Sequence, residues 1–186
     1  MGMTRHDRDR LLRRLDKAEG YLLLELPNQA LEILESQSDW NGFQFEAALL
    51  MGEALRGLGR YREALEPLER AYALRPGDLG AAVCLGWCYK RTHRLAQAID
   101  ALERALRKHP DEAILHYNLA CYWSLAGQLS RAIQALHMAL TLDPDYFDQA
   151  LSESDFDPIR QSAEFQKLIQ NPQVPRQLSP SPSDPQ

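Results

Sequence analysis

Three cysteines supply the strongest nucleophiles and softest ligands of the chain: Cys84, Cys88 and Cys121. Cys84 and Cys88 stand one helical turn apart, and together with Cys121 and His116 they raise the question of a thiolate metal site. Structural zinc sites usually present four ligands in close pairs, about two to four residues apart on turns. That spacing is missing, and small thiols suit helix-packing positions equally well. No metal and no cofactor is therefore predicted. An odd number of cysteines without framework spacing predicts free thiols in a reducing compartment, which implies a cytoplasmic protein. The histidines His6, His93, His109, His116 and His137 are scattered, and His93 and His109 fall at turns or helix ends. The sequence contains no glycine-rich phosphate loop, nucleophile elbow or His-Glu-x-x-His motif. It offers no catalytic residue set, and the expectation is a protein that is not an enzyme.

Charge is unevenly placed. Asp143, Asp145, Asp148, Glu153, Asp155 and Asp157 form an acidic run with no base between them. Several begin short helices, where carboxylates cap free N–H groups and favour the helix dipole. Calcium would require the EF-hand order with its central glycine, which is missing. A basic strip runs through Lys90, Arg91 and Arg94, joined by Arg104, Arg107 and Lys108. Two readings stay open for it. One is solvated surface charge. The other is self-association, in which Lys90, Arg91 and Arg94 meet Asp155 and Asp157 of another copy, giving a head-to-tail ring or filament.

The 186 residues are 45% hydrophobic and 25% charged, with a net charge of −5. This acidic balance argues against nonspecific nucleic-acid binding, which calls for a basic surface. No apolar run reaches the roughly 20 residues of a membrane helix, so no membrane insertion is predicted. The opening MGMTRHDRDR (residues 1–10) is a basic extension without a following apolar stretch, and predicts no secretory signal. His6 stands where a myristoylation site needs Ser or Thr. Residues 171–186 hold five of the eleven prolines and almost no bulky apolar residue, which predicts a disordered Pro/Ser tail.

Between these ends apolar residues recur at helical spacing, and the chain has two valines in all. The reading is all-α. Breakers at Gly57–Gly59, Arg75–Gly77, His93, His109–Pro110, Gly127 and Asp143–Pro144 predict short helices joined by tight turns. Pro76, Pro110 and Pro144 lie 34 residues apart. The same period carries Gly52, Gly86 and Ala120, then Ala64, Ala98 and Ala132, then Ala71, Ala105 and Ala139. Larger residues keep step: Met51, Leu85 and Leu119; Leu55, Tyr89 and Trp123; Leu68, Leu102 and Leu136. This pattern resembles the tetratricopeptide repeat, whose helix-turn-helix unit has this order of small and large residues. The resemblance covers 45–78, 79–112 and 113–146. It implies a right-handed superhelical solenoid of antiparallel helix pairs, in which no single unit can bury its apolar face alone. A degenerate unit, 11–44, keeps Ala18, Tyr21, Ala30 and Leu34 in register and reads as an N-terminal cap. Residues 147–170 look like the closing segment of many bacterial proteins of this family, with Phe156, Ile159, Phe165, Leu168 and Ile169 covering the last helix pair.

The resemblance also implies a role: a noncatalytic adaptor or scaffold that binds another protein in the concave groove lined by the first helix of each unit. The groove residues are then Leu15, Glu19, Glu46, Leu49, Leu50, Glu53, Val83, Cys84, Trp87, Lys90, Tyr117, Asn118 and Cys121. The lysine, arginine and asparagine clamp by which related co-chaperones grip a C-terminal carboxylate is missing: the matching positions are Leu15, Glu19, Leu50, Gly80 and Cys84. Instead Leu15, Leu49, Leu50, Val83, Trp87 and Tyr117 make an apolar stripe beside Glu19, Glu46 and Glu53. Such a stripe fits an apolar segment carrying Lys or Arg. Tight packing or a returning terminal segment would bury it instead, and that alternative stays open. The size and charge are also similar to the small type III secretion chaperones that hold apolar translocator segments. Self-assembly is the other class of function.

Overall fold

The computed structural model describes residues 4–170, so the basic opening and the Pro/Ser tail lie partly and wholly outside the described residues. Every regular element described is helical. In order they are α1 (Arg5–Leu23), α2 (Pro27–Glu35), α3 (Gln44–Gly57), α4 (Tyr61–Leu74), α5 (Leu79–Arg91) and α6 (Leu95–Leu106), then α7 (Ala113–Leu125), α8 (Leu129–Leu142), α9 (Tyr146–Ser152), a 3-10 turn (Ser154–Phe156) and α10 (Ala163–Gln170). The chain divides into two compact units, Met1–Lys108 and His109–Gln186.

The same turn recurs where the first helix of each pair hands over to the second. Leu26, Arg60, Arg94 and Gln128 donate their backbone N–H to the carbonyls of Tyr21, Leu55, Tyr89 and Trp123. This six-to-one bond is the Schellman closure, and it needs a left-handed residue just before the donor. Gly59 and Gly127 supply it at φ +73° and +69°, whereas Glu25 and His93 adopt it at +57° and +63° despite their side chains. Non-glycine residues are uncommon in that region because Cβ crowds the following carbonyl.

In the first unit α1/α2, α3/α4 and α5/α6 form antiparallel pairs, and α1, α3 and α5 lie side by side. Small residues set how closely the helices approach. Ala18, Ala30, Ala48, Ala64, Ala71, Ala98 and Ala105 are completely buried. At Gly52 the approach is tighter still: a Cβ there would stand 2.3 Å from Leu68 Cγ. Asp78 caps α5, its carboxylate accepting the Ala81 N–H at 2.9 Å. Tyr72 ties neighbouring pairs together by donating its hydroxyl to the Ala101 carbonyl at 3.1 Å.

In the second unit α7 and α8 form the pair, and the segment beyond Asp143 folds back on it. Phe156 and Phe165 are almost wholly buried, with ring centroids 5.7 Å apart. Arg160 fixes the connecting turns: it donates to the carbonyls of Leu151 and Glu153 and pairs with Asp157 at 2.9 Å. The segment thus supplies the apolar cover that α7 needs on its open side, and the all-α architecture follows from helix pairs alone.

Candidate partner-binding face

On the first unit the candidate face is the row α1–α3–α5. Helices that lie side by side bury the residues between them, so the stripe read from the sequence is narrower in the structure. Leu15, Leu50 and Cys84 are buried between neighbours, while Leu49, Val83 and Trp87 remain partly exposed. Lys90 Nζ stands 4.8 Å over the Trp87 ring, a cation–π geometry that covers one indole face. At the rim Arg75 pairs with Glu46 and lays its guanidinium 3.8 Å over the Phe45 ring.

The acidic edge is partly inside. Glu53 accepts the Cys84 thiol at 3.5 Å, and desolvation raises its carboxyl above its ordinary value, with that thiol and Arg56 opposing the rise and Glu19 adding to it. Burial and the Glu53 charge push the Cys84 thiol up to about 12, and burial raises Cys88 to about 11. Both are protonated at neutral pH, so neither is an activated nucleophile nor a ready thiolate ligand. Beside Glu53 lies a cleft of about 710 Å³ lined by Glu19, Leu22, Leu23, Glu25, Pro27 and Arg56. Leu23, which lines it, is 80% exposed and the following Leu24 68%, because the left-handed Glu25 turn ends α1 just where its apolar run continues. Arg56 Nε faces this region buried and without a hydrogen-bond partner. The Leu22–Leu23–Leu24 run was the sequence signal for this feature, and it reads as helix core until the turn is known.

The second unit departs from the expected open groove. Tyr117 is only 7% exposed: its ring stacks on Tyr146 at 4.5 Å and meets the edge of Phe156 at 5.9 Å. Cys121 is buried as well. The returning C-terminal segment covers both, so they do not offer an open surface. Asn118 donates its side-chain amide to the Ile114 carbonyl of its own helix at 2.8 Å. His116 Nε2 lies 2.8 Å from the Pro110 carbonyl oxygen.

The charged residues considered for self-association also have neighbours of their own. Arg91 lies 5.1 Å over the Tyr61 ring, Arg94 is 3.9 Å from Glu69, and Asp157 pairs with Arg160. No helix among the described residues is long and apolar enough to cross a membrane.

Paired helices with small residues at 34-residue intervals and a partly apolar first-helix face define a repeat module of the interaction type. The model of the tetratricopeptide repeat matches residues 55–120, so repeats of this type lie in that part of the chain. Solved structures similar to it include MamA of MSR-1, at 23% identity over 86% of this chain and 94% of that one, with a TM-score of 0.64. MamA from Desulfovibrio magneticus RS-1, from residue 41 to its end, is 23% identical over 87% and 94% of the two chains, with a TM-score of 0.68. MamA of AMB-1 is 22% identical over 86% and 93%, with a TM-score of 0.67. At these identities the likeness is one of fold. No curated protein sequence matches the chain.

Proposed function

We propose that the chain is a noncatalytic protein-binding scaffold that takes an apolar, Lys- or Arg-bearing segment of another protein on the α1–α3–α5 face. The observation that carries this reading is the pairing of a desolvated carboxylate with exposed leucines. Glu53 is held above its ordinary pKa beside Glu19, and the exposed Leu23 lines the same cleft. A cation brought by a partner would pair with the desolvated Glu53 carboxylate and offset its burial, and its apolar residues would cover Leu23 and Trp87. Aromatic anchors such as Trp87 carry a large share of binding energy when a partner excludes water from them.

The experiment is affinity capture from lysate of the source organism with wild type and with Leu23→Ala/Trp87→Ala. The captured segment is then synthesised and its affinity measured by fluorescence anisotropy. A segment retained by wild type and weakened by the double substitution and by Glu53→Gln supports the reading. Equal capture by all three proteins removes it.

Self-association is the second reading, favoured by the exposed basic corner of Arg91 and Arg94 at the end of α5. Attraction between exposed charges of different copies is screened by salt. Light scattering at high concentration should therefore show a mass that falls as salt rises, and a constant monomer mass would dismiss it.

A further inference from the structure

One cluster in the second unit plays no part in the partner-binding face. Among the described residues, Cys121 Sγ and the carboxylates of Glu153 and Asp155 bring ligand atoms within 4.8 Å of one another. They come from separate elements, Cys121 from α7 and the two acids from the α9 boundary and the 3-10 turn. A second observation points into the same place. The Tyr117 hydroxyl, one helical turn before Cys121, is buried without a hydrogen-bond partner. Its ring also meets the edge of Phe156, the residue after Asp155 in the 3-10 turn, at 5.9 Å, which sets Tyr117 between the elements that carry the cluster. Buried polar atoms are paired in the great majority of cases, so an orphaned hydroxyl at a group of potential anions marks a place where something polar is missing.

We infer that Cys121, Glu153 and Asp155 form a site for a zinc-type divalent cation, with the buried Tyr117 side chain beside it. The donor set selects the ion. A thiolate is a poor ligand for calcium or magnesium, which take oxygen, whereas zinc accepts sulfur and carboxylate oxygen together. Three protein ligands leave the fourth tetrahedral position open for water or an incoming group. With bonds of about 2.3 Å to sulfur and 2.0–2.2 Å to oxygen, tetrahedral ligand atoms stand roughly 3.5 Å apart. Carboxylate rotation on the turn must therefore close the present separations by about an ångström.

The supporting residues are in place. Glu153 Oε1 accepts the Asp155 N–H at 3.1 Å, which leaves Oε2 for a cation. Arg160 holds the Leu151 and Glu153 carbonyls and so fixes the turn that carries both acids. Outer interactions of this kind orient ligands and tune affinity. The Tyr117 hydroxyl is then available to donate to a ligated carboxylate or to the water in the open position. Coordination forms the Cys121 Sγ–metal bond and releases the thiol proton to solvent, so affinity rises with pH. The cation would also tie α7 to the closing segment.

The test titrates the full chain with zinc by calorimetry and with cobalt by absorption, since only a thiolate ligand gives cobalt its near-ultraviolet charge-transfer band. Wild type should take up one ion per chain and show the band. Cys121→Ser should abolish the band, and Asp155→Asn or Glu153→Gln should weaken zinc by about tenfold or more. Circular dichroism verifies that each variant is folded, and the two isosteric acid variants carry the test should Cys121→Ser unfold. Cys84→Ser/Cys88→Ser should retain both signals. Failure of wild type to bind zinc saturably, a band that survives Cys121→Ser, or a band lost in the Cys84/Cys88 variant would overturn the site.

Discussion

Tyr117 of α7 stacks on Tyr146 of α9, with ring centroids 4.5 Å apart and planes 26° from parallel. The contact turns a residue that reads as a binding anchor into a packing residue, and it separates two aromatic substitutions that look alike in the sequence. Tyr117→Ala removes a buried ring that also meets Phe156, which should destabilise the protein by about 3 kcal/mol or more. Tyr146→Ala, at a half-exposed position, should lose about 1–2 kcal/mol from the stack and its buried area. Trp87→Ala leaves a half-exposed site on the other unit and should shift stability least while lowering partner affinity. Urea denaturation of the three variants verifies the order. A Trp87→Ala loss matching that of Tyr117→Ala would show that the indole is core.

Gly52 and Leu68 define a second relationship, because a Cβ on Gly52 would lie 2.3 Å from Leu68 Cγ and 2.4 Å from Leu68 Cδ2. Alanine is the better helix former by about 1 kcal/mol in an exposed helix. Here the overlap should win, and Gly52→Ala should destabilise by about 1–3 kcal/mol. Shortening the neighbour in Gly52→Ala/Leu68→Val should recover part of that loss, and a double-mutant cycle in denaturant measures the coupling. Additive losses would mean the two side chains do not compete for the same space.

These two positions also show what the sequence made legible. Gly52, Gly86 and Ala120 stand in one 34-residue register, so the close helix approach and the pairing could be read before any coordinates. The fate of Tyr117 could not, because it depends on where the turn at Asp143–Pro144 returns Tyr146 and Phe156, a tertiary choice that local periodicity does not encode. The cleft beside Glu53 was hidden for a related reason. Leu23 and Leu24 continue the apolar pattern of α1, and only the left-handed Glu25 places them outside the core. Glu153 and Asp155 read as helix-capping acids, since their proximity to Cys121 crosses about thirty residues.

His93 occupies the turn position that Gly59 and Gly127 fill 34 residues to either side, and holds φ at +63°. Cβ crowding in the left-handed region costs about 1–2 kcal/mol, part of which glycine gives back through its freer unfolded chain. His93→Gly should therefore stabilise by about 0.5–1 kcal/mol, seen as a higher denaturation midpoint with an unchanged slope. His93→Ala keeps the Cβ and should show no such gain. A loss of stability on His93→Gly would mean that the imidazole makes a compensating contact.

Glu53 gives the pH dependence its sign. Its carboxyl is raised in the folded protein, chiefly by desolvation, so the folded state holds this proton more tightly than the unfolded chain does. The stability linked to the protonated form is fully present below the unfolded value of about 4.3 and is lost as pH rises through the raised folded value. At neutral pH the ionised Glu53 therefore opposes folding, and Glu53→Gln should be the more stable protein. That advantage should disappear below about pH 4, where both side chains are neutral. A bound segment with Lys or Arg at this position reverses the balance, because it favours the ionised carboxylate. Its affinity should rise with pH through the Glu53 titration, and the rise should vanish in Glu53→Gln. Denaturation curves from about pH 3 to pH 8 and anisotropy titrations over the same range measure the two effects. If Glu53→Gln is destabilised at neutral pH, the Cys84 thiol and Arg56 outweigh desolvation, and the carboxylate is a structural partner within α3 and α5.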